Sequence, residues 1–465
     1  MAVETDLLHD RFEQGGFAQA PPVAGLELEA WLTDRAGHPA PMNQAFLERL
    51  GSPDVVTELA RFNIEINVAP QPLAGDGLAR LAVDLEATWT RHRTCAESFG
   101  LKVVSIGILP TLDAAQLCLA NMSVGNRYRA LNEQVLRQHH GRPVRLDIAA
   151  DPVLAATGCP SHLCCEHHDV MLEAGTTSLQ AHLQVTPATA TRYYNAAIIA
   201  SAPMVALAAN APFLFGHALW DETRVPLFEQ ALDIGSRGGL PGAALPRVSF
   251  GSGYAGYSLA ECFRENQARF EVMLPLALPG PRERLPHLRL HNGTIWRWNR
   301  PLIGFDVEGA AHLRIEHRVM AAGPTLGDMF ANLVFFYGLA AALAQDPQPP
   351  ELRLPFAAAR GNFYAAARCG LAAPVVWMDR QAQPLGRLVL ETLLPQAAAG
   401  LRRLGVADGI AAPALRTIEQ RAASGRTGAD WQRRFVAANG ADFARLTREY
   451  AARQAAGAPV HAWTV

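Results

Sequence analysis

The chain has 465 residues, 49% apolar and 18% charged, a balance that supplies ample material for a large buried core. A formal net charge of −2 argues against nucleic acid or an anionic membrane surface as a partner. Seven cysteines, an odd number, and an acidic start with Glu4, Asp6, Asp10 and Glu13 in place of a secretory signal point to reduced thiols in the cytoplasm.

Residues 1–20 are expected to be a flexible N-terminal segment. Leu26–Leu32 and Phe62–Val68 alternate with the two-residue period of a half-buried strand, and Leu78–Phe99 and Asn126–His139 read as helices. A third alternating strand is predicted over Leu179–Val185, followed by a buried helix over Thr191–Asn210. The run Ala196–Gly216 is long enough to cross a bilayer, but Pro203, Asn210 and Pro212 interrupt it, and no second stretch reads as a span. The glycine-rich stretch Gly235–Tyr257, with GSRGG and GSGYAG, predicts a mobile loop in the position of a lid. Leu259–Leu274 reads as a helix, Leu288–His291 continuing through Ile295–Arg300 as a strand, Leu313–Val319 as a strand, and Thr325–Ala344 as a helix. After Asp346 come a proline-rich linker and helices rich in alanine and arginine. Strands dispersed among helices predict an α+β fold with a mainly antiparallel sheet.

The single lysine, Lys102, lies in the apolar run LKVVSIGIL. No G-x-x-x-x-G-K-[ST] loop exists, which excludes an ordinary P-loop; bound phosphates would have to be held by arginines and metal ions. Splitting each strand by parity collects polar residues on one face. Glu27 and Glu29 share a face, as do Asn63, Glu65 and Asn67, then Gln180, His182 and Gln184, then Arg314, Glu316 and Arg318. Two readings stay open at this level: the solvated face of an antiparallel sheet, or a concave sheet lined for hard cations with oxygen ligands. Paired glutamates repel unless a cation lies between them, and Arg318 beside Glu316 suits a transferring phosphoryl group.

GLELE, the Glu58–Glu65 run followed by INVAP, the His182 strand and RIEHRV resemble the glutamate–cysteine ligase type 2, or carboxylate–amine ligase, family. NRYRALN, LAANAPFLFG, TRVPLF and NFYAAARCGL match in the same order, so the resemblance runs from about residue 25 to 375. It implies a glutamine synthetase-like fold: a curved, mainly antiparallel sheet forming a funnel, with helices packed outside. A catalytic domain over 21–375 and a helical C-terminal extension over 376–465, packed on the same domain, are expected. The resemblance further implies ATP and Mg²⁺ or Mn²⁺, with Glu27, Glu29, Glu58, Glu65, His182 and Glu316 as metal ligands. Arg318 and Glu316 would be catalytic, and Arg318 and Arg300 would contact ATP. Arg224, Gln180 and Arg127 are expected to bind substrate.

The family reaction activates a carboxylate, often that of glutamate, as an acyl phosphate that an amine then attacks. Small-molecule amino acid and amine substrates are therefore expected, with no nucleic acid or membrane partner, and a homo-oligomer is compatible. Departures bear on the substrate. Gln180-Ala181-His182 stands where much of the family has His-x-His, GILPT at 107–111 lacks the histidine of a Gly-Thr-His-Pro turn, and no acidic residue follows Arg318-Val319-Met320. They leave two alternatives open: a non-catalytic amino-acid or nucleotide-binding relative serving a partner enzyme, and a metal-dependent hydrolase. CCEHHD at 164–169 lacks the C-x-x-C spacing of a zinc site, and Trp296 and Trp298 read as core. Asp221 reads as a loop residue at the mouth of the buried helix, and Arg368 lies on a predicted helix.

Overall fold

The alternating segments assemble into one seven-stranded sheet in a computed structural model that describes residues 1–150, 158–233, 245–378 and 381–465. Its strands are β1 (Val23–Thr33), β2 (Val55–Thr57), β3 (Asn63–Pro72), β4 (Lys102–Val104), β5 (Ser178–Val185), β6 (Asn299–Phe305) and β7 (Ala311–Ala321). They run in the order β6-β7-β5-β1-β3-β2, with β4 also paired to β1, and every pairing is antiparallel. The sheet curls into a half-barrel, the expected α+β funnel with helices outside. Four of the five predicted strands are present, the fifth overlaps β6 only at Asn299 and Arg300, and β2 and β4, three residues each, are too short to show a period.

One face of the sheet is packed. Leu26, Leu28, Ala30, Ile64, Ile66, Leu179, Leu183 and Ile315 are all buried. Behind them lie α3 (Pro187–Leu207), α4 (Leu326–Ala344) and, along β3, α1 (Gly77–Ser98); α2 (Asn126–Gln138) lies on the other side near the cavity. Tyr337 of α4 ties this layer to the sheet by donating from its hydroxyl to the carbonyls of Gly25 (2.9 Å) and His182 (3.2 Å).

Three expectations need correction. Leu288–His291 is not a strand: Pro286–Gly293 is a helix with Pro286 in its first turn and Leu288, His291 and Asn292 buried at helical spacing. Strand pairing starts only at Trp296–Arg297 and Asn299. The helix over Leu259–Leu274 stops at Arg269, where Phe270 turns extended ahead of a proline-rich stretch. Among the described residues the apolar helix long enough to span a membrane is α4, not the 196–216 run, and most of α4 is buried inside the protein. The 196–216 run breaks after Leu207 and turns into a two-residue strand, Phe213–Leu214.

Residues 1–20, expected to be flexible, contain a helix, Ala2–Glu13. Its buried Glu4 accepts from the Leu288 amide (2.8 Å) and pairs with His287 (2.7 Å). In the C-terminal region Arg421 is fully buried and binds Asp328 Oδ1 (2.7 Å) and Asn332 Oδ1 of α4. Of the glycine-rich stretch 235–257, residues 235–244 lie outside the described residues; Val248–Ser249 pairs in parallel with Trp296–Arg297.

Candidate active site

Strand parity places the polar side chains, and register brings them together. Glu29 on β1 lies across from Glu65 on β3, and Glu27 across from Gln180 on β5. Glu316 on β7 lies across from His182 on one side and Arg300 on the other. Every predicted site residue except His182 lines one cavity of about 380 Å³, and His182 sits beside it between Glu27 and Glu316.

The six predicted metal ligands fall into two trios. Glu27, His182 and Glu316 offer one ligand atom each within 4.8 Å of one another, and so do Glu29, Glu58 and Glu65. In the first trio His182 Nε2 lies 3.2 Å from Glu27 Oε1 and 4.0 Å from Glu316 Oε1. The Glu27 contact is close but misaligned for a hydrogen bond, so both buried ring nitrogens lack a hydrogen-bond partner. In the second trio Glu29 accepts from the Ser178 amide (2.6 Å) and Gln180 Nε2 (3.0 Å), and Glu65 accepts from Asn67 Nδ2 (2.9 Å).

Electrostatics distinguish the trios. Burial, then repulsion from Glu65 and Glu29, holds the Glu58 carboxyl well above its usual value; burial and Glu27 push Glu65 up to about 7. Burial also raises Glu29, against the pull of Arg318. In the first trio burial opposes ionisation of Glu27, but the neighbouring His182 and Arg318 together outweigh it and the pKa falls. Glu316 is likewise held below the usual carboxylate range, because Arg300 and Arg318 outweigh its burial. Facing carboxylates, together with an imidazole that makes no aligned hydrogen bond, fit divalent cations with oxygen and nitrogen ligands.

Glu316 is the most engaged of the six. Arg300 grips it with two hydrogen bonds, Nε to Oε2 (2.9 Å) and Nη2 to Oε1 (3.0 Å), and Arg318 Nη1 donates to Oε2 (2.9 Å). Arg318 also donates to Gln180 Oε1 (2.6 Å), so the amide standing where an imidazole was expected bridges Glu29 and Arg318. A bulge between His317 and Met320 breaks the β5–β7 register at Arg318, which helps aim this side chain at the cavity. His317 points the other way: it bonds Asn299 Oδ1 (2.7 Å) and stacks on Phe336 at 4.1 Å.

The expected substrate residues occupy different settings. Arg224 is buried, 3.4 Å from Glu222, which burial pushes up to about 7. Arg127 is exposed at the cavity rim, in the first turn of α2. Trp296 and Trp298, read as core, are buried but also line the cavity; Trp298 Nε1 donates to Glu229 (2.9 Å). Asp221 is paired with Arg433 (3.1 Å), and Arg368 stacks over Trp220 at 4.6 Å. In the CCEHHD stretch His167 pairs with Asp169 (2.8 Å), and none of its residues joins a candidate metal group among the described residues. Sequence reasoning missed Glu173, a cavity-lining carboxyl that burial pushes up to about 7. Its signal was the lone carboxylate in the apolar run VMLEAG, akin to GLELE.

A model of glutamate–cysteine ligase family 2 matches residues 23–454. Comparison with curated protein sequences returns no match. Among solved structures, a glutamate–cysteine ligase from Francisella tularensis in complex with AMP is similar, with TM-score 0.53 and 10% identity over 97% of this chain and 96% of that one. A bifunctional glutathione synthetase from Pasteurella multocida gives TM-score 0.49 and 12% identity over 97% of this chain and 54% of that one. At 10% identity the Francisella likeness shows a shared fold.

Proposed function

The chain belongs to glutamate–cysteine ligase family 2, a family of ATP-dependent carboxylate–amine ligases, and from that premise we propose that it joins glutamate, or a similar amino acid, to an amine such as cysteine. The observation that carries this reading is the pair of trios in one cavity with Arg300 and Arg318 at its edge. Glu27, His182 and Glu316 would hold one divalent ion, and Glu29, Glu58 and Glu65 another. Mg²⁺ or Mn²⁺, when bound, neutralises the triphosphate and the acid so that two anions can meet.

The residues of the chain do the rest by positioning. Arg300 and Arg318, held in place by Glu316 and Gln180, present guanidinium groups to the phosphates, and Arg318 stabilises charge spreading over the moving phosphoryl group. The acid's oxygen attacks the γ-phosphorus and ADP leaves. The amine nitrogen then attacks the acyl carbon, and the bond from that carbon to the phosphate oxygen breaks. Arg224, Gln180 and Arg127 would contact the acid and amine. We take residues 21–375 as the catalytic unit and 376–465 as a helical extension packed on it, a packing supported by Arg421 reaching α4. A cytoplasmic setting and a homo-oligomeric form complete the proposal.

The test is phosphate release from Mg–ATP with glutamate and other amino acids against a panel of amines, with mass spectrometry of the products. Release that requires both an acid and an amine, with a new amide, is expected. No release with any pair would favour a non-catalytic binding role, and hydrolysis without ATP would favour a metal-dependent hydrolase.

A further inference from the structure

Glu173 is the one acidic side chain among the described cavity-lining residues that belongs to neither trio. It sits in a 3₁₀ segment, Val170–Gly175, that packs against α2 and leads into β5, so it reaches the cavity from outside the sheet. Its Oε2 is buried and has no hydrogen-bond donor. A buried carboxylate oxygen without a donor is costly, so the wall lacks a group that a ligand can bring.

The surroundings select that ligand's chemistry. Arg127 and Arg318 favour the ionised form of Glu173 against burial and Glu29, so the free Oε2 is that of a carboxylate already facing cations and in want of a hydrogen-bond donor. A divalent ion is already served by the trios, which exclude Glu173. A single positive charge with several N–H donors fits, and an ammonium group carries three. The incoming amine is an ammonium ion in neutral water and has no lone pair for attack until it loses a proton. Arg127, at the rim, is the guanidinium that most favours ionised Glu173.

We propose that Glu173 binds the ammonium group of the amine substrate and accepts the proton it must shed; this rests on the ligase reading above. The proton passes from R–NH₃⁺ to the carboxylate, leaving R–NH₂ with its lone pair. That pair forms the C–N bond, while the C–O bond to phosphate breaks and its electrons leave on the phosphate. The second nitrogen proton goes to water or the departing phosphate, and Glu173 returns its own to water.

Hydroxylamine separates this role from others, because it is largely unprotonated at neutral pH and attacks acyl phosphates without needing a base. Wild type, Glu173→Gln and Glu173→Asp would be assayed with Mg–ATP, glutamate and either cysteine or hydroxylamine. In E173Q, cysteine-dependent product formation should fall about 100-fold relative to hydroxamate formation. E173D, which keeps the charge, should recover part of that ratio, and it carries the test if E173Q does not fold. An unchanged ratio overturns the proposal. So does a raised KM for glutamate with both nucleophiles, which would put Glu173 on the acid. Absence of hydroxamate in wild type with every acid tried would instead defeat the ligase reading itself.

Discussion

Glu65→Gln should make the metal-free protein more stable at mildly alkaline pH while weakening its response to Mg²⁺. Burial and the charges of Glu27 and Glu29 lift the Glu65 carboxyl from 4.5 to about 7. The folded chain therefore holds this proton over a range where the unfolded chain has lost it. The associated stability is fully present below 4.5 and is lost as pH rises through about 7. The difference, 7 minus 4.5, is about 2.5 pK units, and at about 1.36 kcal/mol per unit it corresponds to about 3 kcal/mol. This is an upper limit, because the side chain keeps some contact with water. Glutamine resembles the protonated acid and escapes the loss. Urea denaturation in chelator at about pH 5 and about pH 8 should show E65Q more stable than wild type by roughly 1–3 kcal/mol at the higher pH, with a smaller gap at the lower. Adding Mg²⁺ should stabilise wild type more than E65Q. If E65Q is less stable than wild type in chelator at the higher pH, or gains as much from Mg²⁺, the electrostatic account of the trio is wrong.

Arg300→Gln removes the two-pronged partner of buried Glu316 and should cost about 3 kcal/mol in urea denaturation, since breaking a buried pair strands a charge; a loss under about 0.5 kcal/mol would show that Arg318 alone suffices. Glu27→Ala should abolish Mg–ATP binding measured by calorimetry, and binding of wild-type strength would remove Glu27 from the metal site. In wild type, Mg²⁺ affinity should rise with pH through about 7, because Glu65, raised to about 7, must release its proton to bind the ion; affinity independent of pH over that range would contradict the ligand assignment.

The site was legible where chemistry follows parity. Glu27 and Glu29 in GLELEAWL share a face whatever the twist of the strand, and β1 carries both into the cavity. Register was not legible: nothing local says that Glu29 meets Glu65, or that one trio draws on β1, β5 and β7 while the other draws on β1, β3 and the turn bearing Glu58. Parity misled at Trp296 and Trp298, which read as core although they alternate with Arg300 along one face. That face is itself a cavity wall, because both tryptophans and Arg300 line the site. The short apolar run Leu288–His291 fits a strand or one turn of helix equally well, and Pro286 with the buried pair Leu288 and His291 decided for helix. Glu173 escaped because its segment has no period to read.

The central claim is that this cavity passes the γ-phosphoryl group of ATP to a carboxylate before an amine displaces it. Glutamate labelled with ¹⁸O in its carboxylates, incubated with the protein, Mg–ATP and an amine that supports turnover, tests this directly through the mass of the released phosphate. One labelled oxygen per phosphate is the expected result, because the bond broken by the amine lies between the acyl carbon and the oxygen that came from the acid. Amide formed with unlabelled phosphate would contradict an acyl phosphate and the roles assigned to this site.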